Sequence, residues 1–172
     1  PVKSNYRVHP DDIISVVMDR PRYENEIVAQ DIPLDIVYED DEVLVVNKPA
    51  GMCVHPGHGN YDGTLVNALA WHFKDNPDYD VTDPRMGLVH RIDKGTTGLM
   101  IVAKNELAQT ILAKQFFEHS IQRRYHALVW GDFDEDEGTV EGNIGRNIRD
   151  RISMTVYPDG SDGKPAITHY KV

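Results

Sequence analysis

Residues 87–105 read GLVHRIDKGTTGLMIVAKN. Two apolar runs, GLVHRI and LMIVAK, flank the short polar segment DKGTTG, a pattern that predicts two buried strands joined through a tight loop. Gly95 and Gly98 let the backbone turn sharply, and the hydroxyls of Thr96 and Thr97 can bond loop amides or a carboxylate. Asp93 therefore stands at a strand end, where catalytic groups are commonly held, although an aspartate in a turn is by composition alone a turn-former. Arg91 and Asp93 lie two residues apart, so an extended backbone directs both to one face. A surface ion pair between them is the plain alternative, and such pairs contribute little.

Working outward, IVYED (36–40) and VLVVNK (43–48) predict a strand pair interrupted by acidic residues, and PAG (49–51) then breaks the run. Thr64 is placed to cap a helix over TLVNALAWHF, with Leu65, Ala68, Leu69 and Phe73 as its apolar stripe. Residues 74–86 form a polar loop. ELAQTILAKQFFEH (106–119) predicts an amphipathic helix with Leu107, Ile111 and either Leu112 or Gln115 on successive turns. QRRYHALVWG (122–131), RISMTVY (151–157) and AITHYKV (166–172) predict further strands, with DFDEDEG (132–138) as an acidic turn. Strands outnumber helices and short turns join several of them. The expected class is α+β: a mixed, largely antiparallel β-sheet with flanking helices. Residues 1–30 read as a loose leader with one short strand at IISVVM (13–18), so a boundary is placed after Gln30. The chain ends within the run 166–172, and the expectation is therefore a fragment whose fold is incomplete at the C-terminus.

The 172 residues suit one domain with a short appendage, and 40% hydrophobic content with 27% charged residues argues against disorder. Cys53 is the only cysteine, so a disulfide scaffold is excluded. No apolar run reaches membrane-spanning length and no apolar signal core opens the chain, as for a reduced, cytoplasmic protein. A net charge of −10 weighs against nucleic acid as a partner, but the charge is unevenly spread. Residues 1–84 hold 6 basic and 16 acidic groups, whereas residues 85–172 hold 12 of each. Whole-chain charge is thus a poor guide to what one face binds.

Several segments together carry a likeness. HRIDKGTTG (90–98) resembles the HRLD-x-x-TSG signature of the RluA/RluD-type RNA pseudouridine synthases. DIPLDIVYEDDEVLVVNKPAGMCVHPG (31–57) resembles the family's first motif, with its core at Asn47 to Gly51. RRYHALVWG (123–131) is similar to its tyrosine-bearing segment, and GKPAITHYKV (163–172) to the stretch before its last motif. Motifs in collinear order over residues 30–172 are far more specific than any one alone. The likeness is strongest to the D type, which acts on large-subunit ribosomal RNA. It implies the pseudouridine synthase catalytic fold over residues 31–172, and the end of an S4-like RNA-binding module plus linker over residues 1–30. RNA is the implied partner; no organic cofactor and no metal are implied.

Carried onto this chain, the resemblance makes Asp93 the nucleophile, Arg91 the side chain that fills the space left by the flipped nucleotide, and Tyr125 the ring that stacks on the extruded base. Taken alone, Tyr125 reads as a sheet-face aromatic, and Lys48 as a solvated strand end; the resemblance implies that Lys48 supports the aspartate loop. Arg123, Arg124, Arg146, Arg149 and Arg151 are either phosphate contacts or a solvated rim. His55 and His58 have a metal-like spacing but no third ligand, His90 reads as a core histidine, and Cys53 as a small buried hydrophobe. Gly95 and Ile92 depart mildly from the D-type pattern, and nothing in residues 1–172 matches the family's later Thr-Gly-Arg-x-His-Gln-Ile-Arg motif, whose first arginine pairs with the aspartate. That leaves two other readings open. One is an RNA-binding module of the same fold without activity; the other is nucleoside or glycoside cleavage, which normally requires a second, protonated carboxyl.

Overall fold

Alternation along VLVVNK sets the first sheet. The structure, a computed structural model, describes residues 6–10, 12–13, 27–57, 59–79, 87–150 and 153–172. Strand β1 (Ile36–Glu39), β2 (Val43–Lys48) and β3 (Gly98–Ala103) form an antiparallel sheet in the order β1-β2-β3. In β2, Leu44, Val46 and Lys48 are buried while Val43, Val45 and Asn47 are partly covered, as the two-residue period requires. The Asp40 carboxylate accepts the N–H groups of Glu42 and Val43, both at 2.8 Å, and so turns β1 into β2.

Helix α1 (Leu65–His72) lies on the buried face, and its Leu65, Ala68 and Leu69, with Phe73, are all buried as the sequence predicts. Leu44, Val46, Met100 and Val102 of the sheet, together with Val54, Tyr79 and Ile92, complete the core around Leu65, Leu69 and Phe73. Asn67 locks the start of the helix: its Oδ1 accepts both the Thr64 N–H (3.0 Å) and the Thr64 hydroxyl (2.6 Å). Its Nδ2 donates to the Val28 carbonyl, so residues just before Gln30 are tied to this core.

Helix α2 (Glu106–Phe117) is capped by Asn105, whose Oδ1 accepts the Ala108 N–H at 2.9 Å. Its covered side differs from the expected one. Ala108, Leu112 and Phe116 are covered, whereas Leu107 and Ile111 are 68% and 50% exposed. The cap stands two residues after β3 and sets where the helix begins, and the row four residues apart is the apolar row that is covered. Phe116 stacks on His90 with ring centroids 4.5 Å apart. The run GLVHRI is not a full strand; Leu88 alone bridges to Val102. Gly87 (φ +79°) packs its Cα where a Cβ would collide with the Ala103 carbonyl, and the chain then leaves the sheet.

The chain divides into two compact units, Pro1–Arg123 and Arg124–Val172. In the second, β4 (Glu137–Arg146) lies between β5 (Met154–Tyr157) and β6 (Lys164–Lys171), antiparallel to both. Thus β5 and β6 are where the sequence places them, but the central strand EGTVEGNIGR was not foreseen. Its glycines at 138, 142 and 145 remove the β-branched signature while leaving room for neighbours: a Cβ at Gly138 would meet the Tyr170 ring. The reverse failure is QRRYHALVWG, which is not a strand. Leu128 and Trp130 are fully exposed there, because β-propensity forms no ladder unless another backbone pairs with it. The strand expected at IISVVM lies outside the described residues save Ile13, as do His58 and Arg151. The architecture is mixed α+β with antiparallel sheets, and among the described residues no helix is long and apolar enough to cross a membrane.

His90 gives the first unit a pH dependence. It is half-buried and its Nε2 accepts the Ile101 N–H at 3.1 Å, which only a neutral ring can do. Burial, and then the nearby Arg123, hold its pKa below the ordinary 6.5. On acidification the unfolded chain binds this proton first, so stability falls as pH drops through 6.5. His55, lowered by burial and by Arg91, acts in the same direction. We expect the melting temperature to decline between pH 7.5 and 5, and His90→Gln, which retains an acceptor for Ile101, to flatten that decline. Equal slopes for the two proteins would refute the assignment.

Candidate active site

Lys48 ends β2 with no solvent exposure, contrary to the solvated strand end that position alone suggests. Its ammonium donates to the carbonyls of Pro49 and Met52, each at 2.8 Å, and of Lys94 at 3.4 Å. Burial pushes its pKa down, while Cys53 and the Asp93 carboxylate act in the opposite direction. The turn after Lys48 brings Gly51 (φ +85°) to the same place, and its N–H donates to the Lys94 carbonyl at 2.7 Å. Lys48 pairs with Gly98 in the β2–β3 ladder. Two sequence segments 46 residues apart, NKPAG and DKGTTG, are thereby joined at one carbonyl.

The loop itself is a tight turn closed by the Thr96 N–H on the Asp93 carbonyl (3.1 Å). Ile92 points into the core at 8% exposure, and Arg91 and Asp93 on either side of it are exposed. The two-residue spacing thus has the expected effect, and Arg91 and Asp93 make no ion pair with each other. Among the described residues no donor hydrogen-bonds the Asp93 carboxylate, so the group faces outward from a loop held through its backbone.

Other candidates fall in different places. His90 is the partly buried, hydrogen-bonded histidine that the sequence predicts. Cys53 is free and only partly buried. His55 is half-buried near Arg91, and among the described residues no group of three or more His, Cys, Asp or Glu is arranged to hold a metal. Tyr125 belongs to the second unit, in the exposed segment after Arg124, and is 63% exposed. Arg123, Arg124, Arg146 and Arg149 are exposed as well. One contact escaped the sequence reading: the Lys94 ammonium donates to Asn60 Oδ1 at 2.7 Å. Asn60 lies just beyond the first motif, in VHPGHGN, whose histidines drew the metal reading, and no pattern in it signals a partner 34 residues away.

A model of the RNA pseudouridylate synthase family matches residues 42–172, which include both joined segments. The chain belongs to the RNA pseudouridylate synthase family. A Chlorobaculum parvum protein named as an uncharacterized RNA pseudouridine synthase is 47% identical over all of this chain and 53% of its own length. Ribosomal large subunit pseudouridine synthase D of Salmonella typhimurium is 51% identical over 84% of this chain and 42% of its own. Among solved structures, human RNA pseudouridylate synthase domain containing 1 aligns with a TM-score of 0.59 and 29% identity, over 88% of this chain and 54% of its own. The chain spans about half the length of the curated relatives it matches. Within this chain, the buried ammonium is the element whose loss is most readily measured. Lys48→Met removes the donor from two carbonyls it alone satisfies among side chains, those of Pro49 and Met52. The bonds are part-buried and Pro49 is exposed, so the expected cost is about 1.5–3 kcal/mol in urea unfolding, the range for losing a hydrogen bond to a charged group. A loss under about 0.5 kcal/mol would mean that water replaces the ammonium freely.

Proposed function

We propose that the full-length protein is a cytoplasmic RNA pseudouridine synthase that isomerises uridines of large-subunit ribosomal RNA, with Asp93 as its nucleophile. The observation that carries this reading is the exposed Asp93 on a loop anchored through the Lys94 carbonyl by Lys48 and Gly51. Isomerisation breaks the C1′–N1 bond and forms a C1′–C5 bond, while C5 loses a proton and N1 gains one. Attack at C1′, addition at C6 and passage through a glycal all begin with an ionised carboxylate beside the glycosidic bond. An outward carboxylate on a rigid loop suits each of them.

The base must leave the stack before a carboxylate can reach it, and extrusion costs a few kcal/mol. Arg91, one step across Ile92 from Asp93, fills the vacated space and offsets part of that cost. Tyr125 stacks on the extruded uracil, whose rotation a π-face tolerates better than fixed hydrogen bonds do. Arg123, Arg124, Arg146 and Arg149 contact phosphates, which makes affinity fall with salt. Relatives named as ribosomal large subunit pseudouridine synthase D, at 46–51% identity, support large-subunit RNA as the substrate.

Tritium release from large-subunit RNA labelled at uridine C5 tests the proposal. The full-length protein should release label and form pseudouridine, and Asp93→Ala should fall to background while binding the RNA with unchanged affinity. Free uracil as the product would point instead to glycosidic cleavage. RNA binding without any turnover would leave a binding module.

A further inference from the structure

Lys94, the residue after Asp93, is held at both ends. Its carbonyl accepts from Gly51 N–H (2.7 Å) and Lys48 Nζ (3.4 Å), and its own ammonium donates to Asn60 Oδ1 (2.7 Å). Asn60 is fixed in turn, because it closes a tight turn with Gly57 through two reciprocal backbone bonds of 2.8 and 2.9 Å. We propose that Asn60 is a positioning residue for the Asp93 loop, acting through the Lys94 side chain to hold the Asp93–Lys94 peptide in place. The inference rests on the synthase reading above and extends it to a residue outside both motifs.

The physical case has two parts. Asp93 is exposed and no donor among the described residues bonds its carboxylate, so within this chain its placement rests on the backbone of its loop, and whatever holds that backbone sets the point from which the carboxylate reaches. A bond from an ammonium to an amide oxygen is charge-assisted and therefore stronger than a neutral one. It also keeps the Lys94 ammonium engaged 34 residues away in sequence, where it is not free to fold back onto the neighbouring Asp93 carboxylate. An ion pair of that kind would occupy the oxygen that has to reach the uridine. Asn60 thus does for the side chain of Lys94 what Lys48 does for its carbonyl.

A double-mutant cycle on the full-length protein tests this. Asn60→Ala should lower kcat for pseudouridine formation about tenfold with KM for RNA changed less than about twofold, the split expected when an aligned group loses its alignment. Asn60→Asp keeps an oxygen for the ammonium and should recover kcat to within about threefold of the unsubstituted protein. Asn60→Ala combined with Lys94→Met should be no slower than the slower single variant, because both remove one interaction. Amide hydrogen exchange gives a readout independent of turnover: Thr96 and Gly51 should exchange faster in Asn60→Ala and return to the original rate in Asn60→Asp. Multiplying losses in the double variant, or unchanged exchange at Thr96 and Gly51, would overturn the proposal. An inactive unsubstituted protein would count against the synthase reading alone, and the exchange arm would still decide the role of Asn60.

Discussion

A charged ammonium without solvent access must find acceptors inside the fold, and Lys48 finds them in the carbonyls of Pro49, Met52 and Lys94. Meeting that requirement forces the chain after β2 to curl around its own last residue. It also forces the loop after Ile92 to present a backbone oxygen at the same spot. The course of two loops thus depends on a single nitrogen. Without it, the Asp93 loop would be held by Gly51, by the Lys94–Asn60 bond and by its own turn, and the end of the β2–β3 ladder at Lys48 and Gly98 would adjoin carbonyls stripped of their donor.

This arrangement reconciles rigidity with exposure. The role proposed for Asp93 requires access for an RNA strand, and the bonds that hold its loop do not fall on its oxygens. The fold places those bonds one residue on. Ile92 on one side is buried in the core, and Lys94 on the other is held by its carbonyl and its ammonium, leaving Asp93 outward between them. Arg91 and Lys94 also give this edge a local excess of positive charge within a chain whose net charge is −10.

Much of the first unit was legible because its elements follow local rules. The apolar runs IVYED and VLVVNK form the strand pair that the sequence predicts, and the Thr64-headed stripe of α1 buries the residues that its period selects. Failures came where distant chain decides. EGTVEGNIGR has weak strand propensity yet forms the longest strand, because β5 and β6 pair with it on both sides. QRRYHALVWG has strong propensity and no pairing. In α2 the composition allowed more than one apolar row, and the cap at Asn105 chose between them.

The candidate site divides along the same line. Sequence by itself determined the chemical identities and the local directions: Asp93 and Arg91 on one side of an extended segment, Ile92 on the other, and glycines where the chain turns. These follow from bond geometry over two or three residues, which no distant contact needs to supply. Tertiary structure alone decided that Lys48 is buried and that Asn60 meets Lys94. Both are electrostatic contacts across 34 to 46 residues, and the energy of such a contact depends on burial and distance, neither of which is written in the order of the residues.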